Sequence, residues 1–173
     1  MEDRAADITE CYYPYFPPGV TEIIAMGSNT YIGEVDKSTV FKYPHAPGDM
    51  TRLDMERKLL ETIGPHERII SLKGSSDTGL YLERARNGNI GDYLSGNPLA
   101  SVKQRLAWCR EAAEAVTWIH SRRILHCDLH PWNLLFDEDL HDTCRLPGET
   151  GREWRGASGW LERRAYQIFL PPR

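Results

Sequence analysis

Between Val20 and Ala85 the chain repeats one pattern, a short β-prone run followed by a turn former. The runs are TEIIAMG (21–27), TYIGEV (30–35), TVFKYP (39–44), RIISLKG (68–74) and GLYLERA (79–85). Long helical periodicity takes over only after residue 100. Strands gathered first and helices afterwards do not build an alternating, wound parallel sheet. They predict an α+β architecture with a five-stranded antiparallel sheet in the first half and a helical second half. Short turns agree with antiparallel neighbours: Asp36-Lys37-Ser38 between the second and third runs, and SSDTG (75–79) between the last two. One helix interrupts the strands. Thr51 or Asp49 can cap it, Leu53, Leu60 and Ile63 share one apolar face, and Gly64 stops it.

Ser101-Val102-Lys103-Gln104 has the form of a capping box. Behind it Leu106, Cys109, Ala113, Val116 and Ile119 recur at three and four residues, which predicts an amphipathic helix over 101–120 with these residues on its buried face. If later helices do not cover that face, it stays exposed and favours association. Residues 1–19 read as an irregular arm, because YPYFPPG (13–19) breaks any regular element.

Composition narrows the function classes. A net charge of −4 gives no electrostatic reason to expect a nucleic-acid partner. No run of roughly 18 apolar residues is present, so no membrane span or membrane partner is expected. The acidic N-terminus lacks the basic start and apolar stretch of a signal peptide. Cys11, Cys109, Cys127 and Cys144 are scattered, as expected of reduced thiols in a cytoplasmic or nuclear protein.

The chemistry concentrates in LHCDLHPWNLL (125–135), a polar knot between apolar residues. A carboxylate just past a long helix, Asp128, can accept a proton from a hydroxyl nucleophile. An amide five residues on, Asn133, can hold a metal through its oxygen. Both suit phosphoryl transfer, where catalysis is mostly positioning and charge neutralisation. HCDLHPWN (126–133) resembles the catalytic loop of the protein kinase superfamily, H-R-D-x-x-x-x-N, with Cys127 in place of the arginine. Further pieces follow the same family's order. VFKYP (40–44) resembles the strand whose lysine meets the α/β-phosphates, which assigns that role to Lys42. LDMERKLLETIGPH (53–66) looks like the helix after it, with Glu56 as the partner of Lys42. GLYLERARNG (79–88) resembles the strand and hinge that hold adenine, with Leu82 at the back of the pocket and Glu83 to Ala85 offering backbone hydrogen bonds. MGSNTYIGEV (26–35) resembles a degenerate Gly-rich loop through Gly27 and Gly33, with Asn29 where the second glycine belongs.

The resemblance implies a protein-kinase-like fold, with a small sheet-rich lobe over 20–84 and a partial helical lobe over 85–142. It implies ATP and magnesium as cofactors and a protein substrate or partner. Asp128, Lys42 and Asn133 become the catalytic set. Gly27, Gly33, Lys42, Glu56, Leu82, Glu83 and Ala85 become the nucleotide site, and Asn133 the metal ligand. His126 is implied to be structural. The oligomeric state is left open.

Several residues pull elsewhere. His130 resembles the second histidine of small-molecule phosphotransferases of the aminoglycoside-kinase type. His126, Cys127, Asp128 and His130 are also residue types that ligate zinc. Trp108, Trp118 and Trp132 read as packing residues. Cys127 removes the arginine that senses a phosphorylated activation loop. The family's next motif, D-F-G, falls on Leu146-Pro147-Gly148, and leucine cannot ligate magnesium; Asp142 lies four residues early. A non-catalytic pseudokinase or binding module is therefore the alternative from another class. Residues 143–173 read as a divergent tail; from Arg145 on they hold six arginines, three glutamates and no lysine.

Overall fold

The structure is a computed structural model that describes residues 14–137 together with the backbone of 142–144. The elements run β1 (Glu22–Met26), β2 (Thr30–Glu34), β3 (Thr39–Pro44), α1 (Thr51–Ile63), β4 (Leu72–Ser76), β5 (Gly79–Glu83), α2 (Ile90–Gly96) and α3 (Val102–Ser121). A 3-10 turn (Pro131–Asn133) then leads into β6 (Leu134–Phe136) and β7 (Asp142–Cys144). The first five strands form one antiparallel sheet in the order β1-β2-β3-β5-β4. The fold is α+β, as the order of runs predicts.

Strand alternation sorts the sheet into two faces. Tyr31, Phe41 and Tyr43 point to one side and form an aromatic cluster with Tyr15 and Tyr81. Val40, Leu80 and Leu82 point to the other, against Leu53, Leu60 and Ile63 of α1 and Ala115 and Ile119 of α3. Lys42 sits in the middle of this second side, paired across the ladders with Ile32 and Leu80. The aromatic side is closed by the N-terminal arm. The Tyr43 hydroxyl donates to the Tyr15 carbonyl (2.9 Å), and the two rings meet edge to face at 5.2 Å.

Turn chemistry holds the meander. The Asp36 carboxylate accepts from the Ser38 N–H (2.7 Å) and hydroxyl (3.0 Å). The Ser38 N–H and hydroxyl hold the Asp36 carboxyl below the usual carboxylate range. Helix α1 ends at Gly64, whose φ of 70° suits a residue without a Cβ. Its start differs from expectation. Met50 occupies the cap position without a side-chain bond, and Asp49 reaches the Thr51 N–H only at 3.4 Å.

Two other expectations are corrected. The fourth strand begins at Leu72 rather than Arg68. Ile69 and Ile70 are buried core residues carried by a loop, so their apolarity reports burial and not strand. Helix α3 is capped by Ser101, which accepts from the Gln104 N–H (3.2 Å), but it turns a different face inward. Trp108, Ala112, Ala115 and Ile119 are buried, while Leu106 is 64% exposed and Cys109 is exposed. Small alanines let the helix approach the core closely, and Trp108 fills the space against Ile90 and Phe136. The small β6–β7 sheet adds to the elements read from the sequence; its three-residue strands are too short to show alternation. The divergent tail from Arg145 on, Leu146-Pro147-Gly148 included, lies outside the described residues, as do residues 1–13 of the arm. Among the described residues no helix is long and apolar enough to cross a membrane.

Candidate active site

Period-two alternation on β3 turns Lys42 toward α1, and helical spacing from Leu53 turns Glu56 back toward the sheet. Lys42 Nζ lies 2.5 Å from Glu56 Oε2, and the two side chains are 2% and 5% exposed. A charge buried this deeply is tolerable only with its partner in place. The pair fixes the position of α1 against the sheet.

In front of the pair lies a cavity of about 420 Å³. Of the residues nominated for the nucleotide, Gly27, Lys42, Leu82, Glu83 and Ala85 line it. Gly27 closes the β1–β2 hairpin by donating to the Thr30 carbonyl (2.7 Å). The Arg84 N–H between Glu83 and Ala85 is committed to the Ser38 carbonyl (3.0 Å). Glu56 stands behind Lys42 and does not line the cavity. Gly33 is a correction. It lies on the aromatic side of β2, where a Cβ would come within 2.4 Å of Val20 Cγ1 and 3.3 Å of the Tyr43 ring. It is a packing glycine and reaches no cleft.

The loop after α3 forms the opposite wall. Arg123 takes a left-handed φ of 62° and turns the chain out of the helix. His126 is buried, and its carbonyl accepts from the Asp128 N–H. Asn133 is fully buried at the end of the 3-10 turn. Its Nδ2 donates to the Asp128 carbonyl (2.8 Å) and to Asp128 Oδ2 (2.9 Å). Those two acceptors fix which end of the amide is nitrogen. His130 Nδ1 accepts from the Trp132 N–H (3.2 Å), and Nε2 lies 3.3 Å from Asp128 Oδ1 and 3.1 Å from Asn133 Nδ2. Neither Asp128 nor Asn133 lines the cavity itself. The loop enters it through Trp132, next to Asn133, and Leu135, two residues on.

The donor set can be tested for a divalent cation. Asn133 Oδ1 is buried with no hydrogen-bond partner among the described residues. An unsatisfied amide oxygen beside the Asp128 carboxylate fits magnesium, which prefers oxygen and takes few protein ligands besides phosphates. Zinc does not fit. Among the described residues no group of three His, Cys, Asp or Glu side chains gathers, so His126, Cys127, Asp128 and His130 make no tetrad. Asp142 sits in β7 opposite Phe136.

A family model described as a protein kinase domain matches residues 35–146. The chain belongs to the protein kinase family. It is similar to the human phosphorylase b kinase gamma catalytic chain, liver/testis isoform, with 34% identity over 118 residues, 61% of this chain and 29% of that protein. Mouse ribosomal protein S6 kinase alpha-1 is 29% identical over 164 residues, 88% of this chain and 23% of that one. Planarian (Dugesia japonica) fibroblast growth factor receptor 2 is 31% identical over 110 residues, 52% and 12%. This chain thus spans about three tenths of the phosphorylase kinase chains it matches.

The kinase cleft also uses residues that no motif names. Ile32 and Val40 line it because they share the Lys42 side of the sheet, which strand alternation alone would place there. Asn89 and Asp92 line it from the start of α2, where Asn89 Oδ1 accepts from the Asp92 N–H (2.8 Å). Trp132, read as packing, is 41% exposed and lies at the cleft; Trp108 is buried, and Trp118 donates to the Ile63 carbonyl (3.1 Å).

Proposed function

We propose that this domain binds ATP in the cleft and transfers its terminal phosphoryl group to a Ser, Thr or Tyr hydroxyl of a protein. The observation that carries the reading is the buried Lys42–Glu56 pair, whose lysine opens onto a cavity shared with Leu82, Glu83 and Ala85. A volume of about 420 Å³ is in the range of small-ligand pockets. Adenine lies against Leu82 and bonds to the backbone of Glu83 and Ala85. Gly27 covers the phosphates, and Lys42, held by Glu56, neutralises charge on the α- and β-phosphates. Asp128 orients the acceptor hydroxyl and takes its proton as the new O–P bond forms and the bond to the β-phosphate oxygen breaks, releasing ADP. Asn133 Oδ1 is the ligand for magnesium, which when bound offsets phosphate charge. The relatives' names, phosphorylase b kinase and ribosomal protein S6 kinase, support a protein acceptor. Scattered cysteines support a reducing compartment, cytoplasm or nucleus.

Two features favour other readings. Leu146 stands where a second metal-binding carboxylate is needed, which favours a module that binds nucleotide without transfer. The His130–Asp128 contact favours a small-molecule acceptor. Thermal shift with ATP, with and without magnesium, followed by transfer assays on protein and aminoglycoside acceptors, separates the three. A magnesium-dependent shift, with protein phosphorylation reduced about 10²–10⁴-fold by Asp128→Asn, is the expected result. Metal-independent binding without transfer supports the module. Transfer to the small acceptor alone supports the third reading.

A further inference from the structure

We infer that Trp132 is a specificity-determining wall of the cleft, packing its indole against the ribose of the bound nucleotide. The inference rests on the ATP reading above.

Trp132 is a large apolar side chain left 41% exposed, at the edge of a cavity it shares with Gly88, Asn89, Asp92 and Leu135. Its orientation is fixed from two directions. The 3-10 turn begins with Pro131, and the Trp132 N–H is held by His130 Nδ1. The ring lies on the bare Cα of Gly91. A Cβ there would come within 2.7 Å of Cε2 and 2.9 Å of both Cδ2 and Nε1. Three ring atoms so nearly equidistant mean that the indole turns a face, not an edge, to α2. Its other face is turned away from the helix, and the residue lines the cleft.

The position along the cleft follows from chain order. Base-recognising backbone at Glu83–Ala85 and the ammonium of Lys42 mark the two ends of a nucleotide, and the sugar lies between them. Helix α2 starts five residues after Ala85, so Gly91 and the indole upon it stand just beyond the base, on the loop side. A flat apolar surface there covers the carbon face of a sugar and shields it from water. The adjacent side chain of Asp92 supplies a polar neighbour in the same lining.

The test uses calorimetry on the whole chain with ATP, adenosine and adenine. Trp132→Ala is expected to weaken ATP and adenosine by about tenfold and leave adenine unchanged. Trp132→Phe is expected to restore most of the loss. Gly91→Ala, which displaces the indole without removing it, is expected to show the same selectivity. A melting temperature near that of the parent chain confirms that the variants fold. Equal weakening of adenine would move the indole onto the base and overturn the assignment, and unchanged affinities for all three ligands would overturn it outright while leaving the ATP cleft standing. Failure of the parent chain to bind any of the three would remove the ATP reading and this one with it.

Discussion

The two walls of the cleft are held in place by opposite means. On the sheet wall the charged pair is almost wholly out of water, at 2% and 5% side-chain exposure, and aliphatic packing surrounds it. On the loop wall Asp128 and His130 are 45% and 31% exposed, and a buried amide with a few short hydrogen bonds sets their geometry. Packing and burial thus position the groups that would meet the nucleotide, and hydrogen bonds position those that would meet the acceptor. Damage to the first wall should appear as lost stability. Damage to the second should appear as lost chemistry in a protein that still folds.

The largest expected effect comes from Glu56→Ala, which leaves Lys42 buried without its carboxylate. Such losses cost about 3–5 kcal/mol, and chemical denaturation would read it directly. Asp128→Asn in the same assay should stay within about 0.5 kcal/mol of the parent. If the two values were reversed, the contrast between the walls would be wrong. Next in size is Ala115→Leu. It overpacks the buried face of α3 behind the sheet wall and should cost about 1–3 kcal/mol. Leu106→Gln, on the exposed stripe of the same helix, should leave stability within about 0.5 kcal/mol and reduce any self-association seen by light scattering. The last effect is alkaline. Burial, with Tyr15 and Tyr31 nearby, pushes the Tyr43 hydroxyl up to about 12. Above pH 10 the unfolded tyrosine ionises while the folded one does not, so the unfolded state holds fewer protons. Stability should therefore be intact below pH 10 and fall as pH rises toward 12. Tyr43→Phe should flatten that fall in a pH series of thermal melts.

Much of the sheet wall is legible in the residues. Alternation and turn formers mark the strands, and Lys42 and Glu56 stand out on facing periodicities of a strand and a helix. Gly33 shows a limit. A glycine near a hairpin reads as a loop residue, yet here the missing Cβ makes room for Val20 and Tyr43 from elsewhere in the chain. Helix α3 shows another. Two apolar stripes coexist on it, and only its tertiary neighbours choose the one with Ala112 and Ala115. On the loop wall the motif names Asp128 and Asn133 but not Trp132, because its place depends on Gly91, about forty residues away, carrying no side chain.

The hydrogen bond from Tyr43 to the Tyr15 carbonyl bears on how this domain should be cut for experiment. The family-model match begins at residue 35, after β1 and β2 have already been laid down. A fragment started there would lack β1, β2 and the Gly27 turn between them and would strip the cover from Phe41 and Tyr43. Two buried rings would face solvent, and the roof of the cleft would be gone. The smallest piece worth expressing starts upstream of Tyr15, in a stretch that the bounds of the family model alone would discard.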